Sequence, residues 1–154
     1  MKTIEKLAVN EDITLISLSD SPADIKLIAK IFEMISQAGI DVDMISQTPP
    51  NGAHSSLSFT VGDDDFGGIL EIATALRQLN PELKFNVSSG NCKISLFGES
   101  MRGKPGVAAK VFSAAASANT DIRMITTSET DISLLVVKAD VENTVAAIKR
   151  IFLD

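Results

Sequence analysis

Apolar and polar positions along this chain follow two rhythms, one of period two and one near 3.6, and these alternate in a fixed order. Ile13-Thr14-Leu15-Ile16-Ser17-Leu18 is β-branched and apolar and breaks off at Ser19-Asp20-Ser21-Pro22, which predicts a strand entering a turn. Proline is tolerated at the first helical position and Asp24 complements the positive end of a helix dipole, so a helix is predicted to start at Ser21-Pro22. Ile25, Ile28, Ile31, Phe32 and Ile35 recur at helical spacing, and Gly39 supplies the stop. Strand character resumes over Asp41 to Ser46. After the turn Pro49-Pro50-Asn51-Gly52, Leu57, Phe59 and Val61 alternate in a second strand, and the pair reads as a hairpin. Asp63-Asp64-Asp65 then precedes a helix carrying Ile69, Ile72, Ala73, Leu76 and Leu79, which ends before Asn80-Pro81; Lys84 to Ser88 forms a last strand.

This order is βαββαβ, the ferredoxin-like α+β pattern in which two helices cover one face of an antiparallel sheet. It then begins again: Lys93 to Phe97 as strand, Gly106 to Ala118 as helix, Asp121 to Thr127 and Ile132 to Lys138 as hairpin, Val141 to Phe152 as helix. Setting residues 29–32 on residues 109–112, an offset of 80, also aligns Ala38 with Ala118, Asp41 with Asp121, Met44 with Met124 and Ile45 with Ile125. Pro22 and Pro105 precede the matching helices. The second copy lacks its fourth strand, which would leave a sheet edge unpaired. The unused segment Ile4-Glu5-Lys6-Leu7-Ala8-Val9 is the candidate to fill it. The first unit, residues 12–90, is therefore expected to be inserted into the second, residues 1–11 plus 91–154.

Composition narrows the function classes. With 154 residues and 45% hydrophobic content the chain can bury a core, but a unit of about 75 residues leaves much apolar surface exposed, so mutual packing or a homodimer is expected. A net charge of −6 argues against nucleic acid as partner, and the absence of Trp and Tyr removes most stacking platforms. Met1-Lys2-Thr3-Ile4-Glu5-Lys6 has no apolar run behind its first lysine, and no window approaches membrane-spanning length. Cys92 is the only cysteine, which excludes an internal disulfide and fits a reducing, cytoplasmic setting.

The runs Pro105-Gly106-Val107-Ala108-Ala109-Lys110-Val111-Phe112 and Asp121-Ile122-Arg123-Met124-Ile125-Thr126-Thr127-Ser128-Glu129 resemble the second ACT domain of an aspartate kinase. Ile40-Asp41-Val42-Asp43-Met44-Ile45-Ser46-Gln47 and Leu57-Ser58-Phe59-Thr60-Val61 resemble the first. The resemblance covers nearly the whole chain. It implies two ACT domains, the first inserted into the second, that bind a free amino acid of the lysine or threonine class and transmit feedback inhibition. It also implies a kinase domain elsewhere, in a separate subunit or a missing N-terminal part; a free-standing ACT sensor fits equally.

A helix N-terminus presents unpaired N–H groups suited to a ligand carboxylate. The resemblance thus places Asp20, Ala23, Asp24, Asp41, Val42 and Gln47 beside a first pocket, and Met101, Arg102, Gly106, Asp121, Ile122, Ser128 and Glu129 beside a second. Ala23 stands where the family has glycine, and Asp41 and Asp121 where it has asparagine; a carboxylate cannot donate a hydrogen bond and repels another. The first loop is therefore expected to take a different amino acid or none.

Other motifs favour plainer readings. His54 sits in a turn without metal-binding neighbours, Asp63-Asp64-Asp65 lacks the spaced ligands of a calcium loop and reads as a helix cap, and Cys92 reads as a small buried apolar residue. Gly98-Glu99-Ser100-Met101-Arg102 lacks the final glycine of a nucleophile elbow, and Gly103-Lys104 lacks the rest of a phosphate loop. No catalytic residue, metal site or cofactor is assigned. A noncatalytic amino-acid sensor leads; a structural dimerisation module with degenerate pockets and a small ferredoxin-like enzyme are the alternatives.

Overall fold

A computed structural model describes residues 2–22 and 24–153. The chain divides into two compact units, Asp12–Ser89 (the inserted unit) and Met1–Glu11 with Gly90–Asp154 (the split unit). Two long strands, β1 (Lys6–Pro22) and β4 (Lys84–Phe97), run through both. Backbone φ is positive at Asp12 (58°) and at Gly90 (73°), where the chain passes from one unit to the other.

In the inserted unit, β1 is followed by α1 (Ile25–Gln37), β2 (Ile45–Gln47), β3 (His54–Gly62) and α2 (Phe66–Leu79). Antiparallel β3 lies between β1 and β2, with Ile16 opposite Phe59 and Leu18 opposite Leu57, and β4 flanks β1 on its other side. Alternation puts Ile16, Leu18, Leu57, Phe59 and Val61 on one face, where they form one core with Ile31 and Ile35 of α1 and Ile69 and Leu76 of α2. The Phe32 and Phe59 rings meet at 5.3 Å and 59°, a tilted arrangement that suits their quadrupoles.

The split unit repeats the plan with α3 (Val107–Ser117), β5 (Ile122–Thr127), β6 (Asp131–Val137) and α4 (Val141–Leu153). Here β6 lies between β4 and β5. Cys92, Ile94 and Leu96 of β4, Ile132, Leu134 and Val136 of β6, Val111 and Ala114 of α3 and Ile148 of α4 share a core. Ile4 belongs to that core at 5% exposure, and the Glu5 N–H donates to Phe97 O at 2.8 Å. The N-terminal residues thus extend the sheet beside β4, the place of the fourth strand. The architecture is the expected pair of ferredoxin-like βαββαβ domains, the first inserted into the second.

Two local expectations shift. Ser21 and Pro22 do not start the helix: after a bulge between Leu18 and Ser21 they still pair with Ser55 and His54, and the N-cap is Asp24, whose carboxylate accepts the Lys26 N–H at 2.9 Å. The strand expected from Asp41 is regular only over Ile45–Gln47: Asp43 N–H and Met44 O still bond the Thr60 backbone, but the Met44 N–H turns to the Thr60 hydroxyl (2.9 Å). Asp63–Asp65 form a 3-10 turn leading into α2, and Asp63 accepts from the Thr14 hydroxyl at 2.6 Å.

Candidate functional site

Between β4 and α3 the chain makes a series of tight turns. A 3-10 turn over Glu99–Met101 is closed by the Met101 N–H on Gly98 O (3.1 Å), and the Arg102 and Lys104 N–H groups donate to Glu99 O and Met101 O. Gly103 (φ +66°) and Gly106 (φ +88°) take left-handed conformations that side chains with a Cβ rarely adopt. Nothing lies within 4 Å of a Cβ built on Gly106, so the demand there is conformational, not spatial.

These turns and the hairpin between β5 and β6 line an open cavity of about 450 Å³, within the range of small-molecule sites. Its floor is apolar: Met101, Val107 and Ile132 are buried. Its rim carries Lys104, Thr127, Ser128 and Glu129. Gly106 is the N-cap of α3 and makes no side-chain cap, so the N–H groups of the first turn, beginning at Val107 and Ala108 in the cavity wall, have no capping side chain. The Arg102 guanidinium forms an ion pair with the Glu129 carboxylate and lies 3.8 Å from Glu99. The Ser128 hydroxyl accepts the Thr130 N–H at 3.3 Å, which leaves its own O–H free to donate elsewhere. An apolar floor beside an uncapped helix start can accommodate a small molecule with a carboxylate toward α3.

A family model of the ACT domain matches residues 94–152. The regulatory subunit of aspartate kinase from Thermus thermophilus, in its ligand-free form, superposes with a TM-score of 0.88 at 29% identity, covering 98% of this chain and 99% of that one. A chain from the crystal structure of aspartokinase alpha and beta subunits is 30% identical with a TM-score of 0.87, covering 98% of this chain and 99% of its own. The chain belongs to the ACT-domain regulatory family of aspartate kinase. Among curated relatives, the aspartokinase of Geobacillus stearothermophilus is 29% identical over 133 residues, 86% of this chain. The chain spans about a third of the length of such relatives, 32% in that case.

Within this ACT pair, the structure brings together only part of each expected site. Met101, Ser128 and Glu129 line the cavity, Arg102 reaches it through Glu129, and Gly106 sets the helix start. Asp121 and Ile122 lie at the other end of β5: the Asp121 N–H donates to Asp140 and its carboxylate pairs with Arg123 at 2.9 Å, while Ile122 packs on the core. Ile122 and Thr127 are the two ends of the six-residue β5, about 16 Å apart at ~3.3 Å per residue, too far to share this cavity. In the inserted unit the same split recurs. Asp41 and Val42 precede β2, with Val42 packed on the core, whereas Gln47 ends it and donates to the Ser55 hydroxyl at 3.4 Å. Asp24 is spent on capping α1; Asp20 lies within β1, its side chain outside the described atoms, and Ala23 lies outside the described residues.

Sequence reasoning missed Gly103, Lys104, Pro105, Val107, Ala108, Thr127 and Ile132 in the cavity wall. Gly103 and Pro105 were readable as turn punctuation. His54 is exposed, Cys92 is buried, and among the described residues no group of three or more His, Cys, Asp and Glu could hold a metal ion. Nor is any helix among them long and apolar enough to cross a membrane.

Proposed function

We propose that this chain is a noncatalytic sensor that binds one free amino acid in the cavity of the split unit and so regulates an aspartate kinase catalytic region. That region lies in a separate subunit or elsewhere in a longer polypeptide. The observation that carries the reading is the cavity itself, large enough for an amino acid and open to an α3 start that no side chain caps. Of the lysine and threonine class, threonine suits the lining better. The carboxylate on the rim, Glu129, is the one acid among the described lining residues and is already paired with Arg102, so the ammonium of a lysine ligand would find no unpaired acid there. A hydroxyl can instead exchange hydrogen bonds with Ser128 or Thr127.

A homodimer belongs to the same proposal. Strands β2 and β5 each pair on one side only, and their Ile45 and Ile125 are 51% and 41% exposed, apolar edge positions that a second copy would cover. Thermal denaturation against each of the twenty amino acids tests the sensor. A ligand at 100 times its dissociation constant adds about 2.7 kcal/mol. Threonine is expected to raise the melting temperature more than lysine; no response to any amino acid sinks the reading and leaves a structural module.

A further inference from the structure

The turns that wall the cavity are held from outside by the N-terminal residues. Ser100 Oγ donates to Lys2 O at 2.9 Å, Lys104 Nζ to Thr3 Oγ1 at 2.8 Å, and the Glu99 N–H to the Glu5 carboxylate at 3.1 Å. Gly98 is the point of closest approach: a Cβ built there would lie 2.0 Å from Thr3 O, a backbone atom that cannot step aside alone. The Gly98 N–H donates to Thr130 O (3.0 Å), in the hairpin that carries Ser128 and Glu129. Gly98 is therefore gripped between the N-terminal segment and the second wall of the cavity. Ile4 anchors the segment in the core that also holds Met101 and Val107, two residues of the cavity floor.

We propose that residues 2–5 form a positioning strap, with Thr3 and Ser100 as positioning residues, that fixes the 98–106 turns in the shape the ligand needs. Docking of the strap and occupancy of the cavity are then coupled, each favouring the other by the same factor. Any force on the strap from chain or partner on its N-terminal side is felt at the cavity. The ligand half of this inference rests on the sensor reading above; the positioning half rests on the geometry alone.

Hydrogen exchange of the full chain separates the two. In Gly98→Ala, and in the milder double variant Thr3→Val with Ser100→Ala, the hydrogen-bonded turn amides of Met101, Arg102 and Lys104 are expected to exchange about tenfold faster while those of β6 keep their protection. If Gly98→Ala fails to fold, the double variant decides. Loss of protection confined to residues 2–6, with the Met101, Arg102 and Lys104 amides unchanged, overturns the positioning role. With threonine as probe, the double variant is expected to bind about five- to tenfold more weakly, the scale of one or two lost hydrogen bonds. Unchanged affinity despite loosened turns overturns the coupling. Should wild type respond to no amino acid, the sensor reading and the coupling fail together, and the exchange result still decides whether the strap positions the turns.

Discussion

The two units start their first helices in opposite ways. In the inserted unit β1 continues to Pro22, and Asp24 caps α1 with its own carboxylate. In the split unit β4 ends at Phe97, and the turns of residues 98–105 lead to Gly106, a left-handed N-cap with no side chain to offer. One helix start is capped from within and carries negative charge; the other has no capping side chain. Copies that share an apolar pattern have thus diverged where a ligand carboxylate would dock, and the difference comes from one side chain and one backbone conformation. Like charge at Asp24 disfavours a second carboxylate there, while the uncapped first turn of α3 would favour one.

The largest expected effect tests whether the split unit depends on the chain's beginning. Ile4→Ala removes a side chain 5% exposed in the core of that unit, and should cost about 2–4 kcal/mol. Exchange protection should fall in α3, α4 and β6 and persist in α1 and β3; equal loss in both units would break the comparison. Next comes Gly106→Val, which forces a β-branched residue to φ +88°, a strain of about 1–3 kcal/mol. It should also abolish stabilisation by threonine, seen as a melting temperature that no longer moves with ligand concentration. Asp24→Ala removes the α1 cap at about 1 kcal/mol. Denaturant titration should register that loss while the threonine response stays intact, and a weakened response would move the site into the inserted unit. The smallest effect is expected for Arg102→Met. Its partner Glu129 is 70% exposed, so the pair contributes under about 1 kcal/mol to stability. Freed of its partner, Glu129 should admit cationic ligands better, and calorimetry should show the preference for threonine over lysine shrinking.

Much of this was legible in residues. The period-two runs around Phe59 and Leu134 and the helical spacing of Ile31 and Ile35 marked the faces that became the two cores. The missing fourth strand pointed to Ile4, because an unpaired edge is costly and the segment was unclaimed. The helix start at Ser21-Pro22 was misread since local propensity favours it, yet cross-strand pairing with Ser55 and His54 holds those residues in β1. The site was half legible. Gly106 and Ser128-Glu129 announce themselves as turn chemistry, but matching two copies by offset also carried along Asp121 and Ile122, which the strand places at its far end. Gly98 gave no signal, because its requirement is a close approach by Thr3, 95 positions away along the chain, that no local pattern encodes.

The most direct measurement is an exchange or chemical-shift map of the full chain with and without saturating threonine. The account predicts changes concentrated at residues 101–109 and 127–129, with residues 20–27 unaffected. A map in which residues 20–27 and 47–56 respond, and the split unit does not, would contradict it.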